Sequence, residues 1–532
     1  MYSFLIKLAH GFTLVPLVLA FKQIGIFTYI KTPKSLYEIL NHTKLNSGYL
    51  NTGLKLLLLF SIIRKKNNKY YLYNRDIVRL INDDFLVFYN QSFNKILTGQ
   101  KKVIILNKYA SKIIKGWNIK LTQNELISGP FLIPIIFYLK FEKKNLNKLN
   151  SKKFLILKKI LVSYNIVKIT ENKLSLTSIG EYLINNINTI GVAASYKKML
   201  FNLSFLLKHD PKLFFNIKMS SENHVDRKLN IASSSSQHNK YFNEILKIIE
   251  TIFSKKNYPK YIMDIGCGDG LLLKKIYNEL QLILSKNDLK KIKMIGIDLN
   301  NISIKKAKKN LSNIPSIFIK GSIDNPELIF KQLYNKNIDP NLILHVRSFI
   351  DHERTIKFLG INKYNDRDII NKSDQDVEGI DVNGKIIKTQ IINKSLDEFY
   401  FKWSKYIGKF GLINLEVFKQ SFNQMKTNFD LNEGAHFDFI QIVSGQNLCK
   451  AKMQLYCMAR NQLFPKVIKT YPESTEFKRI ILGYFLKMRY KCQIIANKNK
   501  KLDLQFLDKK HKLLKLKKTN ILQNLINNTN IN

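Results

Sequence analysis

Cysteine is scarce in this chain: its 532 residues hold four, Cys267, Cys449, Cys457 and Cys492, none in CxxC spacing. That excludes a disulfide-stapled secreted domain and argues for a reducing cytoplasm. No Ser-His-Asp order, phosphate loop or zinc spacing occurs either, which removes the hydrolase and nucleotide-hydrolysis readings that such motifs support. Acidic residues are few, 39 against 87 Lys and Arg, for a formal net charge of +48. Such an excess ordinarily points to nucleic acid or an anionic membrane. Here the lysines are spread along the whole chain among asparagine and isoleucine, as in Lys305-Lys306-Ala307-Lys308-Lys309-Asn310 and Asn497-Lys498-Asn499-Lys500-Lys501. A dispersed excess of this kind reads as compositional bias on solvated faces. A long hydrophobic run is also lacking. The stretch Phe12 to Phe21, interrupted by Pro16, reads as too short for a bilayer span and has no cleavage site behind it, so it is expected as a buried first helix and no membrane partner is expected.

What is present is a chain with 45% hydrophobic residues, long enough for more than one core, since single cores stop growing near about 250–300 residues. From Leu14 to Asn74 the pattern reads helix, helix, helix and a short hairpin at NNKYYLYN, the order of a winged helix. A similar order recurs from Leu146 to Asn185, where a helix precedes the hairpin TENKLSLT and the helix SIGEYLINN. A winged helix reads DNA or serves as a dimerisation platform. The candidate recognition helix, Tyr49 to Phe60, is mostly leucine with few groups for base edges, which favours protein packing, including a homodimer, over nucleic acid. The serine cluster Ser233 to Ser236 marks a domain boundary ahead of an amphipathic helix to Phe253. From Ala496 onward, leucines at helical spacing (Leu513, Leu514, Leu516) suggest a marginal helix in a loose basic tail.

The chemistry-bearing motif is the apolar strand Tyr261 to Ile265, running into Gly266-Cys267-Gly268-Asp269-Gly270 and then the helix Leu271 to Leu284. Glycines let the backbone turn tightly and approach a ligand with no Cβ in the way. The next strand, Met294 to Ile297, ends in Asp298, where an acid can hold a ribose diol. Helix Ser303 to Leu311, strand Ser316 to Lys320, helix Glu327 to Tyr334 and strand Leu342 to Val346 follow, with a fifth strand at Gly411 to Val417. This alternation specifies an α/β, Rossmann-like doubly wound parallel sheet, with its ligand at the carboxyl ends of the strands.

The string DIGCGDG departs from the G-x-G-x-x-G of dinucleotide oxidoreductases. It resembles the first motif of class I S-adenosylmethionine-dependent methyltransferases. The resemblance implies that Asp264, Gly266, Gly268 and Gly270 lie at the methionine moiety and that Asp298 holds the ribose with Leu299 beside it. It further implies that Gly321, Ser322 and Ile323 border the adenine, where families often carry an acid at the position of Ser322 and Asp324 is a substitute. From Asn230 to Ile495 the strings ASSSSQHNKYF, LHVRSFIDHERT, KWSKYIGKFGLINLEVF and AHFDFIQIVSGQ look like methyltransferases of polyketide assembly lines, especially the trans-acyltransferase type. More distantly they resemble metal-dependent domains that methylate a malonyl thioester. The implied partner is a carrier-protein-bound acyl or polyketide substrate. The expected domains are a helical, winged-helix-like region at 1–122, a second such unit at 123–225, the Rossmann-like methyltransferase domain at 226–496 with an insertion at 356–395, and the tail at 497–532.

Two polar clusters are catalytic candidates. His345, Arg347, Asp351, His352, Glu353 and Arg354 follow the fourth strand, at the end that faces the methyl donor, with His352 a base for a hydroxyl or an activated carbon, His345 also a cofactor contact, and an ion-paired loop as the bland alternative. His436, Asp438 and Gln441 in EGAHFDFIQ offer imidazole, carboxylate and amide donors for a divalent iron or manganese ion, with His352 a further ligand; a capped helix start is the alternative. The acidic stretch Asn365 to Asp381 reads as a lid or surface insertion. The function indicated is methylation of a polyketide or carrier-bound acyl chain, on oxygen or carbon. A general small-molecule O-methyltransferase with a dimerisation domain and a winged-helix nucleic-acid binder with a non-catalytic methyltransferase fold stand as alternatives.

Overall fold

The computed structural model of the protein describes residues 1–86, 89, 121–141, 146, 149, 154–171, 173–215, 224–357, 379–473, 478–496, 502–507 and 513–514. These form two compact units, the first made of Met1–Gln237, Ile380–Ile386 and Phe422–Gly445, the second of His238–Gly379, Ile387–Ser421 and the remainder from Gln446. The proposed lid at Asn365 to Asp381 and the end of the tail lie almost wholly outside the described residues.

The first unit is built on one long apolar helix, Tyr2–Ile24, in which every residue from Leu5 to Phe21 except Lys7 is buried. Sequence reading cut this run short at Phe12. The helix takes in the apolar residues before it and is long and apolar enough to cross a membrane, yet its sides are occupied by protein. It crosses helix Leu121–Phe141 at very short range. A Cβ on Gly11 would stand 1.6 Å from the Leu126 carbonyl oxygen and one on Gly129 would stand 2.1 Å from that of Leu8, so only glycine fits either position. The winged-helix order holds twice. Helix Leu36–Thr43 begins at a Ser35–Glu38 capping box and is followed by helix Ser47–Leu59 and the hairpin Ile63–Lys66/Lys69–Leu72. Helix Leu155–Ser163 is followed by Val167–Thr170/Lys173–Leu176 and the Thr177-capped helix Ser178–Asn186. A segment far along the chain completes the core: Ala435, Phe439, Ile440 and Val443 of helix Gly434–Val443 pack in the same cluster as Leu5, Leu50 and Leu57.

The chain passes from the first unit to the second between Gln237 and His238, just after the serine cluster, and it does so within a helix. Helix Arg227–Phe253 runs through the cluster, Ser233 is buried, and Ser234 donates back to the Ile231 carbonyl, so small side chains serve here for close packing. The helix therefore carries residues of both units.

The second unit holds a seven-stranded sheet: β1 Tyr261–Ile265, β2 Lys293–Asp298, β3 Ser316–Lys320, β4 Ile343–Ser348, β5 Leu412–Val417, β6 Leu463–Tyr471 and β7 Ile480–Lys487. Their order is β6-β7-β5-β4-β1-β2-β3, parallel from β5 to β3, with β7 antiparallel to β5 and β6 antiparallel to β7. The central strands β1, β2, β4 and β5 are buried on both faces, hence their near-continuous apolar runs. One face packs Ile262, Leu344 and Ile413 under helices Arg227–Phe253 and Leu271–Ile283; the other packs Met263, Ile343 and Leu412 under helices Pro326–Tyr334, Thr389–Ser404 and Ala451–Arg460. Strand order reverses between β1 and β4, the point at whose carboxyl ends a sheet of this kind binds its ligand. The tail is not helical where described: Lys491–Ala496, Leu502–Leu507 and Leu513–Leu514 form an antiparallel sheet. The alternation Leu502-Asp503-Leu504-Gln505-Phe506 has a period of two, and that strand signal outweighs the spacing of the later leucines.

Candidate active site

The glycine turn is assembled by β1 and β2. Gly266 and Cys267 both donate their backbone N–H to the Ile297 carbonyl, at 2.8 and 3.0 Å, and Gly268 donates to Asp298 Oδ2 at 3.0 Å. All three glycines have positive φ, 75° at Gly266, 54° at Gly268 and 78° at Gly270, a region that penalises any side chain. Nothing lies within 4 Å of the Cβ position of Gly268, so the turn leaves open space where a ligand would approach. Asp298 Oδ1 also accepts from the Asn300 N–H at 2.7 Å, which fixes the carboxylate at the strand end, and the adjoining Leu299 is 65% exposed.

Asp264 lies beneath this turn, buried, with Oδ1 lacking a hydrogen-bond partner. Burial, with help from the Asp298 charge, pushes its carboxyl up to about 8. An orphaned acid beneath an open glycine cradle, with a second acid at the next strand end, suits a cationic amino-acid moiety joined to a ribose. These residues fit S-adenosylmethionine, whose methionyl end Gly266, Gly268 and Asp264 would hold and whose ribose and adenine Asp298 and Leu299 would border. After β3, Gly321 N–H donates to the Asp298 carbonyl, Ser322 Oγ accepts from the Asp324 N–H, and the Ile323 carbonyl accepts from Trp403 Nε1. Asp324 spends its oxygens on Thr355, accepting from N–H at 2.9 Å and from Oγ1 at 2.6 Å, and so braces the loop after β4.

Two buried pairs tie the loop after β4 to the strands beside it. Asp351 accepts from Arg347 Nη1 at 3.3 Å, Tyr400 Oη at 2.5 Å and Asn414 Nδ2 at 2.8 Å. Arg347, fully buried, stacks over Trp403 with its guanidinium carbon 4.1 Å from the ring centroid. Removing one member of such a pair strands a buried charge, at about 3–5 kcal/mol. Asp351 therefore positions the loop, which is the bland reading of this cluster. His352 differs. Its Nδ1 lies 2.7 Å from Glu416 Oε1 and its backbone N–H donates to Glu416 Oε2 at 3.2 Å. Burial pulls the imidazole down, and Glu416, by charge and hydrogen bond, with Glu353 and Asp351 behind it, outweighs burial and raises it above 6.5. Because Glu416 accepts, Nδ1 carries the proton and Nε2 is left as the basic nitrogen.

Glu416 was missed by sequence reading. It closes the quoted string KWSKYIGKFGLINLEVF as an acid at the end of an apolar fifth strand, the same signal that singled out Asp298. Alternation puts Asn414 and Glu416 on one face of β5, and the register Asn414↔Arg347 places that pair beside the Arg347 face of β4.

His345 is corrected. It sits inside β4, fully buried, between Phe330 and Trp403, with Nε2 3.2 Å from the Tyr406 carbonyl, and burial drives it down to about 3. Odd positions of β4 point into the helix layer, so His345 packs in the core and does not reach the strand-end rim. The metal set is also corrected. His436 is the third residue of helix Gly434–Val443. At about 100° per residue, His436 and Asp438 project about 160° apart, so these two cannot converge on one ion with Gln441 from this helix. His436 Nδ1 meets His10 Nδ1 at 3.0 Å; His10 Nε2, 2.6 Å from the Phe429 carbonyl, must be the protonated nitrogen of that ring, so His436 is the donor. Among the described residues no group of three His, Cys, Asp or Glu side chains is placed to hold a metal. These donors do not fit the iron or manganese expected.

The sheet order, glycine turn and strand-end acids define an S-adenosylmethionine-dependent methyltransferase of the Rossmann-like class. Three family models match in chain order: the AprA N-terminal domain at 1–64, the AprA winged helix domain at 128–210 and the AprA MT2-like domain at 222–483. The chain is thus an S-adenosylmethionine-dependent methyltransferase whose catalytic domain matches the AprA MT2-like model, behind stretches that match the AprA N-terminal and winged helix models. No curated protein matches it in sequence. Solved structures to which the chain shows similarity include the CurJ carbon methyltransferase, at 11% identity over 90% of this chain and 92% of that one, TM-score 0.42. Another is an O-methyltransferase family 2 protein from Planctomyces limnophilus in complex with apigenin, at 10% identity over 91% and 96%, TM-score 0.35. A third is a putative O-methyltransferase from Nostoc punctiforme, at 11% identity over 66% and 94%, TM-score 0.39. Likeness at this level says nothing of the substrate.

Proposed function

We propose that this methyltransferase methylates a polyketide or carrier-protein-bound acyl intermediate, with His352 as general base and Glu416 holding it. The observation that carries this reading is the His352–Glu416 pair at the carboxyl ends of β4 and β5, the same edge of the sheet as the glycine turn after β1. S-adenosylmethionine supplies an electrophilic methyl group. The protein's part is to hold the acceptor, remove its proton at Nε2 of His352, and let Glu416 stabilise the resulting imidazolium. A positioned base of this kind contributes about 10²–10⁴-fold. The long sequence likeness from Asn230 to Ile495 supports the acyl substrate class, with a carrier protein as partner. Three buried free thiols, Cys267, Cys449 and Cys457, support a reducing, cytoplasmic setting.

Incubating the full chain with labelled S-adenosylmethionine and carrier proteins loaded with malonyl, 3-ketoacyl or 3-hydroxyacyl chains tests the substrate class by intact-protein mass spectrometry. Gain of one methyl group on a loaded carrier supports it. Transfer to free phenols or alcohols with none to any loaded carrier would instead make the protein a small-molecule O-methyltransferase.

A further inference from the structure

A second imidazole lies beside the segment that leads from β4 to His352. His238, the first residue of the second unit, lies on helix Arg227–Phe253 and stacks on Phe349, ring centroids 4.3 Å apart at 25°. Phe349 directly follows β4, and its N–H donates to the Leu415 carbonyl at 2.7 Å, one residue before Glu416. Its φ of 54° is a backbone state that an aromatic residue rarely adopts, and such strain concentrates at functional sites. Tyr241, one turn along the helix from His238, meets the same ring edge-on at 5.9 Å. His238 thus rests over the β4–β5 junction that presents His352. It is only partly buried, and among the described residues no hydrogen bond reaches either of its nitrogens. Burial, and then the charge of His352, lower it to about 4, so it stays neutral when His352 is protonated. A neutral imidazole keeps one N–H to donate.

We propose that His238 is an oxygen anchor for an enolisable acceptor: its N–H binds the carbonyl oxygen next to the carbon that is methylated. The inference rests on His352 being the base. The α-carbon's C–H bond breaks and its proton goes to His352 Nε2. The electron pair moves into a carbon–carbon double bond, leaving negative charge on the oxygen held by His238. That carbon would then attack the methyl group of S-adenosylmethionine; the S–CH3 bond would break with its electron pair going to sulfur, S-adenosylhomocysteine would leave, the carbonyl would re-form, and His352 would return its proton to water. His238 works because a donor aimed at the developing oxyanion stabilises charge that the ground state lacks. The assignment selects C–H acids flanked by a carbonyl, such as 3-ketoacyl or malonyl thioesters, over hydroxyl acceptors.

Solvent exchange isolates this step from methyl transfer. The full chain, saturated with S-adenosylhomocysteine, is given an acetoacetyl thioester of N-acetylcysteamine in deuterated water, and loss of the α-proton is followed by NMR. The wild type should accelerate exchange. His238→Phe keeps the stack on Phe349 but removes the donor, and should slow exchange about 10²-fold; His238→Asn, which restores a donor, should recover part of it. Affinity for S-adenosylhomocysteine and melting temperature should not move in either. Exchange at the wild-type rate in His238→Phe, with His352→Ala inactive, would overturn the anchor and leave the base standing. Full exchange in His352→Ala would overturn the base reading itself. Methyl transfer to a hydroxyl by a wild type that exchanges no C–H would overturn the enolisable acceptor.

Discussion

One carboxylate holds both the ring and the main chain of His352: Glu416 Oε1 is 2.7 Å from Nδ1 and Oε2 is 3.2 Å from the backbone nitrogen. The imidazole titrates above 6.5 because of this carboxylate, and only the deprotonated form accepts a proton. Methyl transfer should therefore fall on the acid side, with a midpoint above about 6.5. Glu416→Gln removes the charge that offsets burial. Its midpoint should drop below the wild-type value while the plateau rate falls by about 10²-fold or more. A pH–rate profile with an unshifted acid limb would remove Glu416 from this role.

Asp298 and Gly268 face each other through one hydrogen bond, and both are expected at the cofactor. Asp298→Ala should weaken binding of S-adenosylmethionine by about 1–3 kcal/mol in calorimetric titration, by removing a charged acceptor and loosening the Gly268 N–H. Gly268→Ala is a sharper probe. A methyl there meets no protein atom within 4 Å, so the fold should lose only about 1–2 kcal/mol for an L-residue at positive φ, while cofactor binding is lost. A Gly268→Ala protein that binds normally would place the cofactor elsewhere.

Asp264 makes binding pH-dependent. Its folded value of about 8 lies above the 3.8 of the free side chain, so the ligand-free protein binds the extra proton. Its stabilising effect is complete below about pH 4 and is lost as pH rises through about 8. A cation at this site favours the ionised carboxylate. Affinity for S-adenosylmethionine should strengthen with rising pH up to about 8, with proton release seen as a buffer-dependent binding enthalpy, and Asp264→Asn should flatten both. Binding enthalpies identical across buffers would contradict the assignment.

The first unit depends on residues far along the chain. Helix Gly434–Val443 brings Ala435, Phe439, Ile440 and Val443 into its core, and His436 to His10. A fragment from Met1 to Val225 should accordingly melt without a cooperative transition, whereas adding residues 422–445 through a flexible linker should restore one. Cooperative melting of the short fragment, read by circular dichroism, would show that the later segment is dispensable.

Periodicity and turn chemistry carried the architecture: glycine triplet, strand-end Asp298, the alternating strands and both winged-helix patterns are local signals. What local signals could not reveal was pairing across distance. Glu416 meets His352 only because β5 lies next to β4, and the spacing of LEVF says nothing of that neighbour. His345 and His352 look alike in the string LHVRSFIDHERT, yet strand alternation buries the first among aromatics while the turn after Ser348 brings the second to the rim. His436, Asp438 and Gln441 suited a metal as residue types. Their helix, once its start is fixed at Gly434, points His436 and Asp438 to different sides.

The most direct test of the account is single-turnover methyl transfer by His352→Ala, at saturating S-adenosylmethionine, to the acyl carrier substrate that the wild type accepts. The account predicts a rate about 10²–10⁴-fold below wild type with cofactor affinity unchanged. A wild-type rate in this variant would contradict it, and would leave proximity and orientation of the two substrates as the source of catalysis.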